Sequence, residues 1–252
     1  VTDFPDVVTG GDRFMSAIVR YRFYPAIALA LALFSILGFW RTYYLRSFTD
    51  LPPLTLLVQL HGAAFTAWLV LFVVQTRLVA AHRVDLHMKL GITGVVIACL
   101  IVAVGLATVA AKAALPRIHP SGLTPPQFTI VGLMSLSLFA TFAGLGIAYR
   151  RRPSAHKRFM VLAMIAVLTP PASRILSMLG LRENWTLLTP ILPAVFIVWC
   201  LVHDWRQHGK VHPVFAVGGA VIALAWPLRF VIGRSEWYQP VGEWFARVGA
   251  GL

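Results

Sequence analysis

Charge is what this sequence has least of: only 12% of its 252 residues are Asp, Glu, Lys or Arg, against roughly 25% in a soluble domain. That deficit, with 58% hydrophobic residues and a mean hydropathy of +0.77, excludes an ordinary water-soluble globular protein and points to the bilayer. Acids are the scarcer sign, nine against 22 Lys and Arg, for a net charge of +13. In a soluble chain that excess would signal nucleic acid. Here the basic residues sit in short stretches between apolar runs, and no nucleic-acid partner is expected. Cysteine is nearly absent. Cys99 and Cys200 fall within apolar runs, so they read as small buried residues and not as a disulfide. No linker or low-complexity stretch divides residues 1–252, which read as one transmembrane domain. No tight metal-ligand motif is present either. His208 and His212 are four apart, but Gly209 and Pro213 interrupt the helix that would align them.

What the chain does have is long apolar runs, at 23–40, 54–76, 90–111, 128–149, 159–181, 185–202 and 214–233. A helix rising about 1.5 Å per residue needs roughly 20 such residues to span. The expected fold class is therefore all-α, a polytopic membrane helical bundle of about seven transmembrane helices. Pro52-Pro53 and Pro125-Pro126 mark helix starts. Pro170-Pro171, inside the fifth run, predicts a kink. The first run is too long for a signal peptide, and "GFWRTYYLR" after it offers no small-residue cleavage site, so it reads as an anchor.

Lys and Arg set the orientation. One side holds 13: Arg13, Arg20 and Arg22, then Arg77, Arg83 and Lys89, then Arg150, Arg151, Arg152, Lys157 and Arg158, then Arg206 and Lys210. The other holds seven: Arg41, Arg46, Lys112, Arg117, Arg182, Arg234 and Arg247. The heavier side is expected in the cytoplasm of a bacterial cell, with the chain in the inner membrane, its N-terminus cytoplasmic and its C-terminus outside. Over 235–248, Trp237, Val241, Trp244, Phe245 and Val248 recur at helical spacing, with Glu236, Glu243 and Arg247 off the stripe. A short helix lying flat in the outer interface is expected there.

Two basic loops echo each other. "RLVAAHRVDLHMKLG" and "YRRRPSAHKRFMV" both run into His-x-(Lys/Arg)-(Leu/Phe) as a helix begins. Helices two to five would then be two successive hairpins forming a four-helix core. Six of the eight histidines, His82, His87, His156, His203, His208 and His212, lie at this side, as do Asp85 and Asp204. His87 and His156 stand at helix starts, where the dipole disfavours imidazolium, and neutral imidazole is the form that ligates metal. Two readings stand. The loops face anionic lipid, or they assemble a haem b or divalent-metal site from His87, His156, His203, His212 and Asp204.

The membrane interior carries a second signal. His61, Arg174 and Arg229 lie at coincident depth in the outer third of their spans when counted at about 1.5 Å per residue. An arginine there costs about 2–3 kcal/mol unless it snorkels or finds a partner. A shared pocket, with Gln59 nearby, would suit an acidic or quinone-like group. The competing reading has each arginine reaching separately to headgroups, or pairing with Glu183 and Glu236.

The segments "LHGAAFTAWLVLFVVQ" (60–75), "LHMKLG" (86–91), "HKRFMVLA" (156–163), "PPASRI" (170–175) and "VHPVFAVGG" (211–219) resemble an uncharacterised family of bacterial multi-span membrane proteins and, more distantly, cytochrome b561-type membrane domains. The resemblance implies histidines on adjacent helices holding b-type haem and carrying electrons across the membrane. This chain departs from the two-haem pattern, because His61 has no second histidine at its depth. His87 and His156 would hold a single inner haem. Three functions follow: a haem- or metal-binding redox protein with an outer pocket, an accessory subunit packed against other membrane subunits, or an intramembrane metal hydrolase. The last would use His87, His156 and His203 or His212 with Asp204.

Overall fold

Residues 10–116, 119, 121–181 and 183–251 are described by a computed structural model, with side chains from residue 22 onward. Arg13, Arg20, Arg117 and Arg182, which entered the charge count, have side chains outside the described residues. Every regular element among those described is helical. In chain order these are α1 (Gly10–Phe39), α2 (Leu56–Ala80), α3 (Val84–Ala113), α4 (Pro125–Ala148), α5 (Pro153–Ala166), α6 (Thr169–Met178), α7 (Trp185–Leu188), α8 (Ile191–His208), α9 (Pro213–Arg234) and α10 (Gln239–Gly249). Among the described residues six helical stretches are long and apolar enough to cross a membrane, and α5 with α6 makes a seventh if the bent pair is one span. The chain is an all-α polytopic bundle and an integral membrane protein.

The starts follow local chemistry. Thr55 caps α2 by accepting from the Val58 N–H. Thr124 and Gln127 form a reciprocal capping box at α4 behind Pro125, which satisfies donors that the first turn leaves over. Gly209 closes α8 in the left-handed region, at φ +65°, which only glycine adopts at no cost. Several helices run past the apolar cores. α3 starts at Val84 and α8 ends at His208, because backbone hydrogen bonding continues into polar turns that hydropathy does not register.

The hairpins expected from the echo are present: α2 packs on α3, α3 on α4, and α4 on α5. α1 closes over α2 and α6, α9 lies on α4 and α5, and α8 on α9. The centre is α5. Val161, Leu162, Ala163, Met164, Ile165 and Ala166 are consecutive and none is more than 2% exposed. A helix without an outward face is wrapped by protein on all sides. Trp68 of α2 seals it, donating to Met164 Sδ at 3.0 Å and meeting Phe139 of α4 edge to face.

The kink expected at Pro170-Pro171 is a full break. α5 stops at Ala166, α6 restarts at Thr169, and the two axes differ by 43°. Neither proline has an N–H, so the carbonyls of Ala166 and Val167 lose their i+4 donors, while the first turn of a new helix loses nothing by holding proline. Gly38 of α1 lies against Pro171, where a Cβ would overlap the ring and backbone. α10 packs on α3 and α4 and leaves Val241, Trp244 and Val248 exposed, with Trp237 exposed in the turn just before it.

Candidate functional site

Two groups of polar side chains lie inside the bundle. The first is at its basic end, where α2 turns into α3, α4 into α5, and α8 into α9. There Arg158 of α5 grips Asp204 of α8 through two parallel bonds, Nε to Oδ2 at 2.8 Å and Nη2 to Oδ1 at 2.6 Å. Nη1 donates to the Ser154 carbonyl and hydroxyl. Oδ2 also accepts the His212 backbone N–H at 3.2 Å. Arg158 is 2% exposed and Asp204 is fully enclosed. This is the bidentate geometry that makes a buried pair hold, and it ties three helices together at one point.

That pair decides where the expected metal ligands stand. The Asp204 carboxylate has both oxygens committed to Arg158. The His203 ring lies flat on Phe23, centres 3.5 Å apart. His212 caps α9, its Nδ1 accepting the Val214 N–H at 3.2 Å. Burial first, then the neighbouring Arg158 charge, push His212 below the ordinary histidine range, so its ring is neutral near pH 7 with the remaining proton on Nε2. The structure does not gather these three side chains with His87 and His156. Among the described residues no group of three or more His, Cys, Asp or Glu is placed to hold a metal ion.

It does bring His87 and His156 together. Their rings meet nearly edge to face, with centres 6.0 Å apart and planes at 80°. Both stand in the first turn of their helices, α3 and α5. His156 Nδ1 is 2.7 Å from the Gly146 carbonyl, which fixes the proton on Nδ1 and leaves Nε2 as the acceptor. His87 Nδ1 is buried without a hydrogen-bond partner, as is Gln75 Oε1. The Gln75 amide donates to the His87 carbonyl at 3.2 Å, so the two orphaned atoms belong to neighbouring residues.

The second group lies toward the opposite end, around the break in the central span. Arg229 of α9 is 2% exposed. Among the described residues its one hydrogen bond is a 3.5 Å contact from Nη1 to Thr169 Oγ1, in the first turn of α6. Its Nε has no partner, and the guanidinium carbon stands 5.4 Å from the centre of the Trp226 ring. Arg174 donates from Nη1 to the Pro170 carbonyl and from Nε to Thr42 Oγ1, with its head over Phe39. The two arginines thus contact consecutive residues of α6, but Arg174 sits half-buried in the seam with α1 while Arg229 is enclosed. His61 of α2 packs against Phe65 with Nδ1 buried and unpartnered.

Several of these residues escaped sequence reasoning. Arg158 was counted as one more basic loop residue, yet a lone Asp near the end of a long apolar helix is a signal that it needs a buried cation. Thr169 and Gln75 carry no signal by spacing. Against known proteins, the chain matches no family model, no curated protein and no solved structure.

Proposed function

We propose that this chain is a redox protein of the bacterial inner membrane, basic end in the cytoplasm, that holds a b-type haem or a divalent metal ion between His87 and His156. The observation that carries this reading is the pair itself, two imidazoles from separate hairpins with centres 6.0 Å apart. Paired imidazoles on neighbouring helices are a donor set that a b-type haem or a divalent metal ion takes. The tether on His156 supports the same reading, because a ligating histidine donates its other ring N–H to a fixed acceptor. So do the orphaned His87 Nδ1 and Gln75 Oε1, since a buried polar atom without a partner is a cost that structural packing alone would remove.

In this reading Gly146 fixes the tautomer of His156, and the Gln75 amide holds the first turn of α3 so that His87 faces it. If a haem were held there by His87 and His156, it would supply one-electron transfer. The test is an absorption spectrum of the detergent-purified protein, oxidised and reduced, with metal analysis. A b-type spectrum or stoichiometric metal is expected. His87→Ala and His156→Ala should each abolish it, and His208→Ala should leave it intact. A colourless, metal-free wild-type protein ends the reading and leaves that of an accessory subunit in a larger membrane complex.

A further inference from the structure

We propose that Arg229 anchors a binding site for the carboxylate of an apolar acid, reached at the break between α5 and α6. The fold encloses a charge here that it does not neutralise. At 2% exposure the guanidinium cannot snorkel to headgroups, because protein surrounds it on every side. Among the described residues no carboxylate lies within ion-pair distance of it. A desolvated cation in this state is costly unless an anion accompanies it.

The chain itself shows how such a group is satisfied. Arg158 directs Nη1 to Ser154 and presents its Nε–Nη2 edge to the two oxygens of Asp204. Arg229 likewise directs Nη1 to a hydroxyl, that of Thr169, and its Nε has no partner. The edge that takes a carboxylate in one arginine is thus the unpartnered edge of the other, and a fork of two parallel N–H donors matches a carboxylate. Two hydroxyls stand beside Arg229, that of Thr169 at the start of α6 and that of Ser135 on α4. Ser135 Oγ lies 3.5 Å from Thr169 Oγ1. The body of the ligand would be apolar or aromatic, since the side chains packed beside Arg229 are. Trp226 stands against Trp185 and Phe230, with centres 5.3 and 5.4 Å apart. This site lies toward the other end of the bundle from the paired histidines and does not depend on them.

Trp226 makes the inference measurable, because a heavy atom bound at Arg229 would quench its fluorescence. The experiment titrates the full chain, in a non-ionic detergent, with 4-bromobenzoate and separately with its neutral isostere 4-bromobenzamide. The expected result is saturable quenching by the acid at a concentration about tenfold lower than for the amide, as two charge-assisted bonds would produce. Trp226→Phe should remove the saturable component. Arg229→Leu should bring acid and amide to the same curve, and Arg174→Leu should leave the preference for the acid in place. Equal quenching by acid and amide in the wild-type protein overturns the proposal without reference to any variant. So does an acid preference that survives Arg229→Leu.

Discussion

Arg158 and Arg229 are buried to the same degree, each 2% exposed, and each sends Nη1 to a neighbouring hydroxyl. They differ in the other edge of the guanidinium. Arg158 meets Asp204 in two short bonds, whereas the Nε of Arg229 meets nothing. The first arrangement is closed: α5, α8 and the start of α9 are fastened by a charge pair that needs no outside party. The second holds the same cation beside the break in α5–α6, where the backbone has given up its own hydrogen bonds. A buried ion pair is weak evidence of net stabilisation, yet losing one member is expensive. Burial of an arginine therefore says little about its role until its counter-charge is found.

The largest effect should come from breaking the closed pair. Asp204→Ala leaves Arg158 enclosed and unpaired, and should cost about 3–5 kcal/mol, read as a large drop in thermal midpoint in detergent. Pairing it with Arg158→Met should recover most of that loss. A single variant as stable as wild type would mean that Arg158 does not need Asp204, and the contrast with Arg229 would collapse.

Arg229→Met is expected to do the reverse. Removing a desolvated charge without an internal partner should leave stability unchanged or raise it by about 1–2 kcal/mol. A loss as large as that of Asp204→Ala would reveal an internal counter-charge and make the two arginines alike.

The smallest effect concerns His212, whose ring caps α9 and whose backbone N–H reaches Asp204. Its value lies below the ordinary one because of burial and then Arg158. The folded state therefore prefers the neutral ring. The stability this carries is present above about pH 6.5, the unfolded value, and is lost as the pH falls through the lower folded value. Thermal midpoints should decline on acidification over that window. His212→Asn, which keeps a capping acceptor but does not titrate, should flatten the decline. An identical acid profile for wild type and variant would place the titrating group elsewhere.

The spans were legible because apolar runs of spanning length have few alternatives, and the Pro170-Pro171 break followed from two missing N–H groups. Counting residues at helical rise also brought Arg174 and Arg229 to one depth, and they do contact adjacent residues of α6. What counting could not supply was rotation. A helix apolar all round carries no stripe to show which side faces protein, so nothing marked Arg229 as inward and Arg174 as lodged in the α1 seam against Thr42 and Phe39. The Arg158–Asp204 pair was hidden for a related reason. Its members are 46 residues apart on separate helices, and only the packing of α5 against α8 sets them opposite each other. The reading of the basic end as charge facing lipid counted Arg158 among the exposed residues, and the structure turns it inward.

The enclosure of α5 has a consequence for how the chain is made. α5 and α6 are long and apolar enough to span only as a pair, and between them they carry Lys157, Arg158, Arg174 and two adjacent prolines. A segment with these residues partitions poorly from the translocation channel into lipid by itself. In the finished bundle it has no need to, since Val161–Ala166 meet other helices on every side. Biogenesis should therefore be cooperative at this point: the first four spans wait beside the channel, the broken span enters the shelter they form, and α8 arrives afterwards with Asp204 to neutralise Arg158. The segment least suited to the bilayer is the one around which the others assemble.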